Sequence, residues 1–232
     1  MQYEDFLAIQ GTGSPRDRHA QGAARRLRTE METSVNYVGP RCKEKAYRNG
    51  QEQGFTVTQS DAQYKYAISA LPGEDLFVGD IIECYNEHWI VVESRDANPI
   101  CRTGLMWQCN LLLRFQNWNN TVHERYCVLD SGVYSTTLTG TAHIRTTDKR
   151  FKAYLQLDEE TENLFIDKRI ASGLMPNASG DKVLTCYRIT GRDEESRSYG
   201  NGAHLLVLNL RSDEYVPGTD NPEERICDWR EP

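Results

Sequence analysis

Apolar residues recur along this chain with two different periods, and the change from one to the other divides it. Between Arg16 and Glu32 the small and apolar residues Ala20, Ala23, Ala24, Leu27 and Met31 stand at roughly helical spacing among charged ones, so this stretch predicts a helix. Asp17 near its start complements the positive end of the helix dipole. Val35 to Gly54 is polar and broken by Gly39-Pro40, which reads as an extended connector. From Gly54 onward the period is two. Phe55 and Val57, then Tyr64, Tyr66 and Ile68, read as strand faces, and Leu71-Pro72-Gly73-Glu74 as a turn whose angles Pro and Gly preset. Ile81 to Cys84 and Trp89 to Glu93 flank a short hairpin at Asn86-Glu87. Further strands are expected at 108–115, 123–130, 142–146, 151–157, 164–170, 183–190 and 205–210. In the 151–157 stretch Phe151, Ala153, Leu155 and Leu157 face inward, and Lys152, Tyr154 and Gln156 face outward.

The strand pattern repeats in a weakened form. Arg95, Asp96, Leu111, Leu113 and Arg114 recur 97 residues later as Arg192, Asp193, Leu208, Leu210 and Arg211. Each copy follows an apolar run, Trp89-Ile90-Val91-Val92 or Cys186-Tyr187-Arg188-Ile189, and before that an acidic turn at Asp80 or Asp167. A period near 100 residues is too long for a solenoid, so the pattern predicts a mainly β protein with two related small barrel or sandwich modules. The expected divisions are a helical or extended N-terminal arm at 1–53, a first module at 54–115, a second at 116–211 whose first residues are a polar linker, and an extended C-terminal tail at 212–232.

Net charge is −7, split unevenly. Residues 1–60 carry nine Lys/Arg against seven Asp/Glu, and the rest carries 18 against 27. An acidic β-body makes a poor groove for phosphates, so only the N-terminal segment is suited to nucleic acid. No run of about 18 apolar residues predicts a membrane span, and Met1-Gln2-Tyr3-Glu4-Asp5-Phe6 does not read as a signal peptide. Seven cysteines without a C-x-x-C pair point to reduced thiols in a cytosol.

Candidate chemistry is sparse. Gly11-Thr12-Gly13 has neither a preceding strand nor a third glycine, and reads as a hinge rather than a phosphate loop. Cys84, His88, Cys101 and Cys109 offer soft ligands at a spacing that matches no usual zinc knuckle. Asp158 to Glu162 reads as a solvated turn. A small hydrolase with a dispersed triad of Ser131, His123 and Asp130 is the remote alternative; strand geometry works against it, since the neighbouring residues Asp130 and Ser131 diverge to opposite faces. The expectation is therefore no enzyme, no metal and no cofactor. The one basic cluster is Arg16, Arg18, Arg25, Arg26 and Arg28, a residue type suited to bidentate contact with carboxylate or phosphate.

The stretch from Tyr64 to Phe115 resembles neck or head-closure proteins of phages that infect Gram-positive bacteria. Tyr64-Lys65-Tyr66, Pro72, Gly79-Asp80, Trp89-Ile90-Val91 and Cys109-Asn110 carry the resemblance. It covers about a quarter of the chain. It implies a structural virion protein at the head–tail junction: a homo-oligomeric ring below the portal that closes the DNA-filled head, contacts a portal or adaptor above and tail proteins below, and assembles in the host cytoplasm. A tail-completion, distal-tail or capsid decoration protein is the alternative. On this reading the five arginines and Trp229, an aromatic anchor in the Pro-rich tail, hold the interfaces, with channel DNA as a weaker partner of the arginines and no membrane contact. Removal of the tail is expected to leave the modules folded.

Overall fold

The computed structural model describes residues 15–60, 64–95, 100–131, 138–139, 142–143, 150–176, 180–194 and 205–230. Gly11-Thr12-Gly13 and Asp96 lie outside them. The one α-helix among the described residues, α1 (Pro15–Thr33), matches the predicted span. Pro15 suits its first turn because the fixed φ is already helical. Leu27 and Met31 turn one face onto Tyr37, Leu71 and Cys42. Arg28 ties the helix down by ion pairs to Glu32 (3.0 Å) and to Glu74 (2.8 Å) in the Leu71–Glu74 turn.

The protein is mainly β, and its described residues form two large sheets and one small two-stranded one. The first is a curled eight-stranded sheet made from β1 (Tyr37–Val38), β2 (Tyr47–Arg48), β3 (Gln51–Glu52), β4 (Phe55–Gln59), β5 (Lys65–Ala70), β6 (Ile81–Cys84), β7 (Glu87–Arg95) and β8 (Thr103–Gln108), in the order β1-β4-β5-β8-β7-β6-β2-β3. The second is a closed barrel of β9 (Leu111–Gln116), β10 (Val122–Ser131), β13 (Arg150–Gln156), β14 (Arg169–Pro176), β15 (Lys182–Asp193) and β16 (Leu205–Asp213), in the order β10-β13-β16-β15-β14-β9. Between β10 and β13 lies the small hairpin β11 (Leu138–Thr139)–β12 (Ala142–His143).

The expected connector before Gly54 is thus part of the first sheet, through β1, β2 and β3. Tyr37 explains why the chain stays there: its ring lies against Gly54, where any Cβ would sit 2.3 Å from the Tyr37 hydroxyl. The boundary expected at 115 also moves. Leu111 to Gln116 pairs with β10 and β14 in the barrel, so the two sheets divide at Cys109-Asn110.

The two sheets are copies of one topology. In chain order β2, β4, β5, β6, β7 and β8 correspond to β9, β10, β13, β14, β15 and β16, since both sets pair as 4-5-8-7-6-2 and 10-13-16-15-14-9. The match holds residue by residue. Gly79 N–H donates to Val91 O (2.7 Å) and Val91 N–H to Asp80 O (3.0 Å); Asp167 N–H donates to Ile189 O (2.8 Å) and Ile189 N–H to Lys168 O (3.0 Å). Each strand then bulges at the next residue, between Val91 and Glu93 and between Ile189 and Gly191. Tyr66 meets Trp89 edge-on at 4.7 Å between ring centroids, and Phe151 meets Tyr187 the same way at 4.8 Å. Met106 lies between Tyr66 and Val91 where Leu210 lies between Phe151 and Ile189.

This register corrects the constant 97-residue offset. Leu111 and Leu113 belong to β9, whose counterpart is β2, whereas Leu208 and Leu210 belong to β16, whose counterpart is β8. Arg95 is equivalent to Asp193, one place from Arg192, and a one-residue slip in a strand exchanges its faces. Loops of different length separate the equivalent strands, so no single offset can align them. The true sequence echo is Glu74-Asp75-Leu76-Phe77-Val78 against Glu162-Asn163-Leu164-Phe165-Ile166, with Leu76 and Leu164 both fully buried. The first sheet stays open because β2 turns into β3 at Asn49-Gly50, while in the barrel β9 turns directly into β10 and closes it.

The modules pack through outer faces. Val78, Ile81, Ile90, Val92, Leu105 and Trp107 of the first meet Val128, Tyr154, Leu205 and Val207 of the second. Outward-facing Tyr154 is therefore buried, with its ring edge-on to Trp107 at 5.0 Å. His88 stacks on Tyr126 across the same seam at 3.5 Å. The copies have diverged where their surroundings differ: the positions of Ile81, Ile90, Val92 and Leu105 hold Arg169, Arg188, Thr190 and Asn209 in the barrel, where no module covers them. Burying Ile90 and Val92 contributes roughly 1.5–3 kcal/mol each.

Candidate interface at the rim of the barrel

Two loops meet at one end of the barrel, because β9 ends beside the start of β14. The first is the β9–β10 turn. Asn117 N–H donates to Thr121 O and Asn120 N–H to Asn117 O, with Asn120 at φ 64, and the tight turn leaves Trp118 81% exposed. The second precedes β14. Asp158 accepts the N–H groups of Glu160 (3.0 Å) and Thr161 (2.9 Å), and buried Thr161 donates its hydroxyl to Gln156 O (2.9 Å). Leu164 plugs the core while Asp167, at φ 73, reverses the chain, and between them Phe165 and Ile166 turn outward at 60% and 53% exposure.

Lys168 joins the loops. Its ammonium donates to Gln116 O and to Asn163 O and lies 5.6 Å from the rings of both Phe115 and Phe165. Burial pushes its pKa down to about 8; Asp228 opposes this and Arg230 adds to it. Beside it His123 Nδ1 lies 3.0 Å from Glu160, and Arg125 pairs with Asp158 (2.7 Å) and with Glu160. Burial works against the Asp158 carboxylate, but the Thr161 N–H and Arg125 outweigh it and hold it below the usual carboxylate range. The acidic turn expected to point into water is thus a capped, ion-paired corner of the rim. The result is three large exposed apolar side chains on two loops fixed by these hydrogen bonds and ion pairs.

The equivalent end of the first module is covered. Phe77, the counterpart of Phe165, lies between the guanidiniums of Arg48 and Arg102 at 5.1 and 4.4 Å, and Val78, the counterpart of Ile166, is buried against the barrel. The same fold position is hidden in one copy and bare in the other.

The tail after β16 returns to the barrel. Arg169, only 6% exposed, donates five hydrogen bonds: to Asp213, to both oxygens of Asp220, to Asp228 and to Glu214 O. Asp220 also accepts the N–H groups of Val216 (2.8 Å) and Asp228 (3.0 Å), and its side chain is fully buried. Burial opposes the Asp220 charge, yet Arg169 and these N–H groups keep its pKa low. Farther on, Gln116 and Arg230 exchange two hydrogen bonds of 2.7 and 2.9 Å. Trp229 is half-buried, with its N–H on Thr219 O (2.7 Å).

The basic cluster is divided by the fold. Arg25 and Arg26 are exposed on α1, Arg28 is engaged with Glu32 and Glu74, and the side chains of Arg16 and Arg18 lie outside the described residues. Cys84, His88, Cys101 and Cys109 are not brought together; the one group of metal-capable side chains among the described residues is Cys186, Asp220 and Cys227. His123 and Asp130 stand seven residues apart on β10, roughly 23 Å, which separates the proposed triad. A groove of about 470 Å³ lies at the junction of the modules, lined by Tyr64, Lys65, Trp107, Val128 and Asp130 among others, with Lys65 4.1 Å above the Trp107 ring. No helix among the described residues is long and apolar enough to cross a membrane. No known family, curated protein or solved structure matches this chain.

Proposed function

We propose that this chain is a structural subunit of a multi-subunit particle, and that it assembles through the barrel rim bearing Trp118, Phe165 and Ile166. The observation that carries this reading is the exposure of Phe165 and Ile166 at positions whose copies in the first module, Phe77 and Val78, are covered, with exposed Trp118 on the adjoining turn. Exposed apolar residues that cluster on a preorganised rim are what a protein partner buries, and a Trp at the centre of such a contact is a frequent anchor. The resemblance of the 64–115 stretch supports a particular setting: a ring at the head–tail junction of a phage, with portal and tail proteins as neighbours. A tail-completion, distal-tail or decoration protein would use the same rim in another place.

Negative-stain imaging of the purified chain tests the proposal. Wild-type protein is expected to form closed rings, alone or with its portal, and a Trp118→Ser, Phe165→Ser, Ile166→Ser variant with unchanged circular dichroism is expected to remain dispersed. Rings of unchanged abundance in the variant would remove the rim from the account.

A further inference from the structure

Beneath the tail, two cysteines from distant parts of the chain face each other. Cys186 lies on the outer face of β15 and Cys227 in the last turn of the tail, and their sulfurs are 3.2 Å apart, inside a small apolar cluster with Ala171 and Leu184. The pair is separated by 41 residues and none of the strand pairing needs it. We propose that Cys186 and Cys227 are a modification site, an intramolecular disulfide that forms under a peroxide and fastens the tail to the barrel.

The surroundings act on both thiols. Cys227 donates its S–H towards Cys186, and the Arg169 guanidinium adds positive charge nearby; these outweigh burial and the Asp220 carboxylate, 3.7 Å from the Cys186 sulfur, and lower the Cys186 pKa. The Cys227 thiol is pushed up by the same contact and by burial. Either sulfur can make the first attack; with Cys186 as the attacking thiolate, Cys227 is the resolving thiol. The thiolate attacks one oxygen of hydrogen peroxide, the O–O bond breaks, and the departing hydroxide takes up the proton that Cys186 had lost. Cys186 is then a sulfenic acid. The Cys227 sulfur attacks the Cys186 sulfur, the S–S bond forms, the S–O bond breaks, and the hydroxyl leaves with the Cys227 proton as a second water. The two sulfurs lose two electrons in all, and peroxide gains them.

Burial selects the oxidant. Cys186 is 1% exposed and Cys227 5%, so a small peroxide reaches them and a bulky disulfide such as oxidised glutathione does so only when the tail opens. A divalent cation is the weaker occupant. Both Asp220 oxygens are already taken by Arg169 and by backbone N–H groups, and the guanidinium brings a positive charge to the place a metal would need.

The full chain would be titrated with hydrogen peroxide, its remaining thiols alkylated, and its peptides mapped by mass spectrometry. The expected product joins the peptides of Cys186 and Cys227 with loss of two hydrogens, forms faster with peroxide than with oxidised glutathione, and is reversed by dithiothreitol. Tryptic cleavage after exposed Arg225 should slow by roughly a hundredfold in the oxidised protein, because a closed loop of this size strongly restricts tail opening. Cys186→Ala should prevent the cross-link and the slowing while retaining the melting profile of the reduced protein. Oxidation of Cys186 to a sulfinic acid without a cross-link, or stoichiometric zinc that shields both thiols from alkylation, would overturn the assignment.

Discussion

Replacing Arg169 with Met should unfasten the tail and cost the barrel much of its stability. The side chain is 6% exposed and gives five hydrogen bonds, two of them to a carboxylate that is fully buried. Without the guanidinium, Asp220 keeps two backbone N–H donors and the weak Cys186 S–H for a charge out of reach of water. Breaking a buried ion pair by removing one partner costs about 3–5 kcal/mol, mostly the penalty of the stranded charge. The loss should be smaller in Arg169→Met/Asp220→Leu, which leaves no stranded charge, and the double variant should recover at least half of it. Asp220 has a lowered folded pKa, so the pair's stabilisation is present above the unfolded value and disappears as pH falls through the folded one. The wild-type advantage over Arg169→Met should then hold at neutral pH and vanish well below about pH 4. Urea denaturation at several pH values measures the stability, and hydrogen exchange over 214–230 locates it. A loss below about 1 kcal/mol at pH 7, or exchange in the tail no faster than in wild type, would refute the reasoning. Deleting the tail would likewise take Asp220 from Arg169 and Arg230 from Gln116, so the truncated chain should be less stable than the full one.

Lys168 should make the rim more stable in mild alkali. Its folded pKa of about 8 lies below the usual lysine value, so the protonated form is penalised at neutral pH and the penalty is relieved between pH 8 and 10; wild type should gain about 1–2 kcal/mol over that window relative to Lys168→Met, by thermal melts, and a constant difference would contradict it. Arg25→Glu with Arg26→Glu should weaken docking to a neighbouring subunit and flatten its salt dependence without unfolding the sheets, as circular dichroism and a binding assay at two salt concentrations would show. Docking indifferent to both changes would make these arginines a solvated helix face. Trp89→Ala and Tyr187→Ala remove equivalent members of the two aromatic pairs and should each cost about 3–5 kcal/mol, with the damage confined to their own module in hydrogen exchange; damage spread equally over both would contradict the division of the core.

Much of the fold was legible because strands and helix write their periods into the chain. The helix at 16–32, the Leu71–Glu74 turn and the inward set Ala153, Leu155 follow from spacing alone. Duplication was legible too, but not its register. Matching Arg95 with Arg192 aligned an exposed arginine with one that is largely buried and donates to Glu162 O and Leu164 O, whereas Leu76 and Leu164 are both held by a buried position and kept the echo Leu-Phe-Val against Leu-Phe-Ile. The burial of Tyr154 could not be read from alternation, because it arises from a second module lying on the outer face. The rim was harder still. Phe165 and Ile166 look like strand core in the sequence, and only the reversal at Asp167 turns them to solvent. The tail's Pro-rich composition suggested a reaching arm, while Asp220 gave no sign of its partner Arg169, 51 residues away.

The claim that the chain is a subunit of a closed assembly is tested most directly by native mass spectrometry of the full protein across a concentration series. The account predicts one dominant species whose mass is a fixed integral multiple, greater than two, of the 26.6 kDa chain. That species should be present in the wild type and collapse to monomer in the Trp118, Phe165, Ile166 variant. A monomer at every concentration, with its portal present as well as without, would contradict it.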